Sequence, residues 1–368
     1  MEDSLLYRET PRSWRDQYTF LKVFYGNVFF ACLSFGLFTP WIHEYLDQTA
    51  AQSTTAFPIL MANNVGEVVG ALVFGLISSR YSTKKALLAS IGVGFLGCLL
   101  FLACNVVNSA VVPVGWLILG RFLQGIWTGG EQTIEQAYVS EVVADVDKLK
   151  VLSELGIASV AGFLFGPGVG MAMHLLGIHF GASLAYFPAI IHALCIAGVF
   201  YFTYRRFKEL PLDCRLVGAR DRPVSKPDSI GVCLSMLLNF VIMTSFAVCE
   251  HISKPLMTHD YEVMLTSVQN EREDMYEVLV IALAVSVVAY GFVHWVDGKV
   301  LDRVIMQWAQ VIVAVGWFFT FDYEANILSY TSFIVGVTIG SFAIPISKMA
   351  LMSMFSKILG PNRAVLST

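Results

Sequence analysis

The chain has 368 residues, of which 56% are hydrophobic and only 14% charged, and its formal net charge is −4. Soluble globular chains carry about 25% charged residues, so this composition, with a mean hydropathy of +0.65, excludes a soluble enzyme, a disordered regulator and a coiled coil. Apolar runs this long also exclude a porin-type barrel built from short alternating strands, and the weak net charge gives no reason to expect a nucleic-acid partner.

A membrane-crossing helix needs about 20 mostly apolar residues. Ten such stretches follow one another at residues 20–46, 57–79, 86–107, 112–140, 151–176, 183–204, 230–258, 275–296, 304–321 and 327–355. The expected fold class is therefore all-α, a polytopic bundle of about ten transmembrane helices in contact with the lipid bilayer.

Residues 1–19 form a polar N-terminal tail, with no apolar core of signal-peptide type. Span 1 carries Asn27 and Ser34 on one face, then Pro40, His43 and Glu44 near its far end. Span 2 places Glu67 in mid-membrane, one turn after Asn63 and Asn64. Asparagine can donate to the carboxylate, or Glu67 can relay protons, and the sequence leaves both roles open.

Span 4 is the most polar of the ten. At about 100° per residue, Arg121, Gln124, Thr128, Glu131 and Glu135 share an arc of about 80° and a length of about 20 Å. Each ionised group placed in a bilayer costs at least about 2.5–3.5 kcal/mol. Three on one face must line water or find partners. The stripe reads as an ion-paired brace between helices, as the wall of a solute path, or as a stripe whose last acid, Glu135, reaches the cytoplasmic interface. In the second case Gln124 and Thr128 line the path, Arg121 holds an anionic group, and Glu131 or Glu135 exchanges a proton.

Gly125 and Gly129 lie on an adjacent face, and span 5 repeats small residues every fourth position through Ala158, Gly162, Gly166 and Gly170. Such faces allow close helix packing. Pro167 removes one backbone donor from span 5. Residues 205–229 hold seven Lys and Arg with three prolines and read as a basic linker. The chain thus divides into a six-helix bundle at 20–204, this linker, a four-helix bundle at 230–355 and a tail at 356–368. A plan of two equal halves has six plus six, so the second half is expected to be two helices short.

Span 7 brings Ser235, Asn239, Glu250 and Lys254 within about 100° of arc. Glu250 and Lys254, four apart with the acid first, suit an internal ion pair, either a fixed brace or an outer gate. Lys348 in span 10 can reach toward one end of its helix or complete a cavity.

Lysine and arginine set orientation. They crowd the N-terminal tail, the 80–85 loop, residues 148–150, the linker, residues 299–303 and the C-terminal tail, while the alternate connections hold only Arg272. By the positive-inside rule the N-terminus is cytoplasmic. The seven cysteines lie in spans or the linker, so no disulfide framework is expected. The seven histidines show no zinc spacing, and no nucleotide-binding loop or serine elbow occurs. The sequence points to no catalysis, no metal and no cofactor.

Three motifs carry a family resemblance. The segment after span 2, from Gly75 through Arg80 to Lys84 and Lys85, resembles the cytoplasmic loop signature of the major facilitator superfamily, with Ser79 and Ser82 replacing its Asp and second Gly. Arg121-Phe-Leu-Gln124-Gly125 is similar to that superfamily's fourth-helix motif. Gly162-Phe-Leu-Phe-Gly166-Pro167-Gly168-Val-Gly170 is similar to its fifth-helix motif. Within the superfamily, the order Arg121-Phe-Leu, Gln136-Ala-Tyr138 and Phe355 to Pro361 resembles the lysosomal branch associated with neuronal ceroid lipofuscinosis. The resemblance implies that spans 1, 4, 7 and 10 line a central cavity. It implies transport of a small polar or anionic solute by alternating access, with or without proton coupling. An anion channel through the same cavity and a non-transporting scaffold are the alternatives. The acid before Leu5-Leu6 sits one residue short of the spacing of a dileucine sorting signal, so an endomembrane location rests on the resemblance.

Overall fold

The computed structural model describes residues 20–48, 56–106, 114–143, 147–179, 186–209, 229–242 with Thr244, 268–320 and 330–359. They form α1 (Leu21–Gln48), α2 (Ala56–Arg80), α3 (Thr83–Val106), α4 (Val114–Val142), α5 (Lys148–His179) and α6 (Tyr186–Arg206). After these come α7 (Ser229–Ile242), α8 (Val268–Val296), α9 (Asp302–Thr320) and α10 (Tyr330–Leu359). Apart from α7, they run from 19 residues in α9 to 32 in α5. At about 1.5 Å per residue that is roughly 28–48 Å, enough to cross a hydrocarbon layer of about 30 Å.

Among the described residues, five helices are long and apolar enough to cross a membrane by composition: α2, α3, α5, α9 and α10. Helix α4 is long enough but interrupts its apolar surface with Arg121, Gln124, Glu131, Glu135 and Glu141. Its polar groups are tolerable because neighbours cover them.

Two joints show how local chemistry sets the helix ends. Ser82 caps α3, its Oγ accepting from Lys85 N at 3.3 Å. The Glu209 carboxylate accepts from Thr83 N at 2.9 Å and Lys84 N at 3.4 Å. An acid there satisfies the free N–H groups and complements the positive end of the helix. Between α8 and α9 the chain reverses at Gly298, whose φ of 75° suits a residue without Cβ. Asp302 then opens α9 and holds the end of α10, accepting from Ser353 Oγ at 2.7 Å and pairing with Lys357 Nζ at 2.6 Å.

Packing joins α1 to α5, α2 to α4, α3 to α4 and α6, α1 to α6, α9 to α10, and α8 to α10; α5 carries the first six helices onto α8 and α10. The tightest seam is α2 on α4. A Cβ at Gly66 or Gly70 would land on the carbonyl oxygen of Phe122 or Ile126, and one at Gly125 or Gly129 on that of Asn63 or Glu67. The two backbones are in direct contact, which only glycine permits. On α1 and α5 the same happens at Gly162, against the Phe29 carbonyl, and at Gly166, against Gly36.

Candidate functional site

Helix α4 positions the site. It is held on both sides, by α2 through the glycine seam and by α3, where Gly94 receives the Trp127 indole. Clamped this way, it presents one polar stripe to α1, α2 and α6. Arg121 is 1% exposed, Gln124 4%, Glu131 2% and Glu135 1%, so each of the four is removed from solvent.

In the first half of α4 the polar groups are linked. Arg121 Nη1 donates to Gln124 Oε1 at 3.2 Å, and Gln124 Nε2 lies 3.4 Å from Nδ1 of His192 on α6. The guanidinium carbon stands 5.1 Å from the centre of the Phe35 ring of α1, a cation–π contact that stabilises charge away from water. His192 is buried and lies one turn after Ala189, whose carbonyl accepts from Cys98 Sγ at 3.6 Å. That bond ties α6 to α3.

In the second half the carboxylates are differently placed. Among the described residues, neither oxygen of Glu131 nor of Glu135 has a hydrogen-bond partner. Two donors face them, the Trp127 indole toward Glu131 and the Asn27 amide toward Glu135, yet Trp127 Nε1 and Asn27 Nδ2 make no hydrogen bond either. Asn27 is held from its other end, since Thr203 Oγ1 of α6 donates to its Oδ1 at 3.0 Å. Buried donors and acceptors left unpaired are costly, each unmade bond worth about 1–3 kcal/mol. A small movement, or a proton on one acid, removes much of that cost.

Beyond Glu135 the stripe ends in aromatic rings. Tyr138 of α4 sits 5.0 Å from Phe20, 5.8 Å from Phe24 and 5.5 Å from Phe207, and Phe24 stacks on Phe207 at 5.5 Å. These rings are buried and pack on one another at this end of the helix group.

Glu67 of α2 lies beside the stripe. Its Oε1 accepts from Asn63 Nδ2 at 3.0 Å and from Thr128 Oγ1 at 3.3 Å. Half-buried Lys348 on α10 interacts electrostatically with Glu67 and Cys32. Cys32 pairs with Ser159 of α5 at 3.1 Å.

The remaining sequence-expected positions are scattered. Ser34 is buried on α1, whereas Asn239 on α7 is exposed and Ser235, one turn earlier, is buried. Glu250 and Lys254 lie outside the described residues, as does the side chain of Pro167. Gly75, Gly162, Gly166 and Gly170 are buried. Arg80 and Lys85 are exposed, and Lys84 lies 5.4 Å over the Tyr204 ring.

Residues 24–366 match the sequence model of the Major Facilitator Superfamily. The chain belongs to that superfamily. It is 22% identical over 338 residues to "Major facilitator superfamily domain-containing protein 8" of Xenopus laevis, covering 84% of this chain and 64% of the relative, so it spans less than two thirds of that protein's length. The human organic anion transporter MFSD10 has the same fold, with a TM-score of 0.65 at 13% identity over 95% of this chain and 90% of that one. The Escherichia coli fucose:proton symporter FucP superposes with a TM-score of 0.63 at 12% identity, over 93% of this chain and 89% of the other. This superfamily member is thus a multi-pass membrane protein of a transporter family.

Several residues of the site escape a reading of the superfamily chain by periodicity. Gly66 and Gly70 carry the same four-residue spacing as Gly125 and Gly129 and were open to the same argument. His192, Phe35 and Thr203 were not, because a lone polar or aromatic residue in an apolar span gives no periodic signal, and the packing of α6 on α1 and α3 is what brings these residues beside the stripe.

Proposed function

We propose that this superfamily member carries a small anionic solute across a membrane by alternating access, with Arg121 as the anion-holding group and the Glu131–Glu135 pair as the proton-carrying group. The observation that supports it is the division of α4. A cation sits in a ready-made scaffold of Gln124 and Phe35 at one end, and two buried acids lie without hydrogen-bond partners at the other.

Two carboxylates one helical turn apart repel when both are ionised, and the cost rises as water is excluded. A proton on either acid relieves the repulsion, so the pair is a natural place for a travelling proton to rest. The buried rings of Tyr138 and its aromatic partners would close the path beyond Glu135, as a carrier closed on one side requires. The contact of α5 with α8 and α10 is the joint about which the two helix groups would rock, and Lys348, which interacts electrostatically with Glu67, would bring a charge of the later helices to the solute path.

The positive-inside pattern supports a cytoplasmic N-terminus, with the Tyr138 rings toward the same side. Placement in the lysosomal membrane rests on the motif order from Arg121 through Tyr138 to Pro361. The outer gate assigned to Glu250 and Lys254 rests on their spacing.

Uptake into proteoliposomes tests this reading. Flux of a labelled carboxylate should saturate, rise with an inward proton gradient and disappear in Arg121→Ala. Non-saturating flux accompanied by single-channel currents would show a channel in place of a carrier. Saturable uptake unchanged by Arg121→Ala would refute the assignment of the anion site.

A further inference from the structure

The hydrogen bonds around Gln124 have only one consistent polarity. Arginine donates and never accepts, so the Gln124 atom at 3.2 Å from Arg121 Nη1 is the carbonyl Oε1. That leaves the amide nitrogen Nε2 toward His192 Nδ1 at 3.4 Å. An amide NH2 only donates, so Nδ1 is the acceptor nitrogen and the ring proton sits on Nε2. His192 is therefore a neutral imidazole of defined tautomer.

The consequence runs back along the chain. If position 192 presented a donor at that point, the Gln124 amide would turn over to offer its oxygen. Its NH2 would then face the Arg121 guanidinium, two donors against each other. With the acceptor in place, Oε1 stays on Arg121, and the guanidinium is held at its 5.1 Å station over Phe35. His192, Gln124 and Arg121 are all less than 5% exposed, so water does not compete for the bonds.

We propose that His192 is a positioning residue for anion binding: as a fixed acceptor on α6 it orients Gln124, which aims Arg121 at the carboxylate of a small organic anion. This rests on the reading of Arg121 as the anion-holding group, and it assigns the precision of that site to a helix outside the stripe. Requiring an acceptor at the Nδ1 position also sets which side chains can stand in for the histidine. Asparagine places its carbonyl oxygen near the Nδ1 position, glutamine places its amide near the Nε2 position, and phenylalanine keeps the volume with no acceptor.

The test uses the full chain in proteoliposomes, with labelled succinate, benzoate and lactate as probes. The expected results are a KM for His192→Asn within about twofold of the parent, and a rise of about tenfold for His192→Gln and His192→Phe at similar maximal rate, the size of one lost hydrogen bond to a charged scaffold. Arg121→Ala serves as the reference. If it abolishes uptake while His192→Phe keeps the parental KM, the positioning role is wrong and the anion site stands. If Arg121→Ala transports normally, or the parent moves none of the probes, the anion site itself is wrong, and the positioning role with it. The tautomer is read without any solute by nitrogen NMR of histidine-labelled protein in nanodiscs, assigned by loss of one signal in His192→Asn. A neutral ring protonated at Nε2 is expected; a proton on Nδ1 would overturn the proposal even in a variant set where folding is impaired.

Discussion

The two halves of α4 carry the same kind of burden and handle it differently. Arg121 in the first half is surrounded by groups that suit a cation: a carbonyl oxygen, an aromatic face and, through Gln124, a histidine acceptor. Glu131 and Glu135 in the second half face Trp127 and Asn27 but bond to neither. A buried cation seated between an amide oxygen and an aromatic face, with Nε and Nη2 still making no hydrogen bond among the described residues, is a fixture that waits for a ligand. Unsatisfied buried acids are a place where the structure gains by changing, whether by taking a proton or by moving a helix. One helix thus holds a static binding element and a labile one about 15–21 Å apart along its axis.

The largest effect should come from the first half. Arg121→Ala removes the cation and leaves Gln124 and Phe35 without it, and carboxylate uptake should fall at least about 100-fold, from loss of a charge-assisted bond in a dry site. Arg121→Lys should recover only part of this, since a lysine ammonium lacks the planar fork. Equal uptake by Lys and Arg variants would mean that net charge, not geometry, is what matters there.

The glycine seam comes next, because it holds both halves of the stripe in place. Gly129→Val sets two methyl groups against the Glu67 backbone. The variant should lose about 3 kcal/mol or more, the upper range for overpacking, seen as a drop in melting temperature in detergent. Gly168→Ala, which meets nothing within 4 Å, should melt like the parent. If both melt alike, α2 and α4 are not in backbone contact.

The aromatic closure gives a smaller, more specific change. Tyr138→Ala removes a ring shared by Phe20, Phe24 and Phe207. It should raise proton leak into vesicles in the absence of solute, leaving the KM for a carboxylate within about twofold, since Arg121 lies about 25 Å away along the helix. Unchanged leak would mean that these rings pack the helix ends without sealing them.

The smallest effect lies outside the membrane helices. Asp297, in the turn between α8 and α9, has its carboxyl held above the ordinary aspartate range, chiefly by burial, with Asp302 adding to the rise and Lys150 and Lys357 opposing it. A raised folded value means that the native state binds the proton more tightly than the unfolded chain. Stability is therefore highest below the ordinary aspartate value and falls as pH rises to the raised one. Asp297→Asn should abolish this slope and raise the melting temperature slightly at neutral pH. A lower melting temperature would show that the ionised carboxylate is stabilising.

How much of this could be read in advance differs between fold and site. The all-helical bundle followed from ten apolar runs, because in lipid a helix is the simplest way to satisfy the backbone. The α4 stripe followed from a period of about 3.6 residues acting on Arg121, Gln124, Glu131 and Glu135. Within-helix geometry is a property of the sequence alone. The partners of that stripe belong to other helices, and Phe35, His192 and Thr203 become relevant only through helix crossings that no spacing records. Glu67 was legible as a buried acid beside Asn63, but its bond to Thr128 depended on the Gly66 and Gly70 contacts that bring α2 onto α4. The Thr128 hydroxyl lies within bonding distance of both Glu67 and the Gly125 carbonyl.

The division of labour along α4 is tested most directly by measuring two fluxes on the same vesicles. Solute counterflow reports binding and exchange without a proton gradient, and vesicle acidification reports proton movement. In Glu131→Gln/Glu135→Gln, counterflow of a carboxylate should persist while gradient-driven uptake loses its stimulation. In Arg121→Ala, counterflow itself should vanish. If the two variants lose counterflow and proton-driven uptake in the same proportion, the halves of α4 do not have separate roles and the account is wrong.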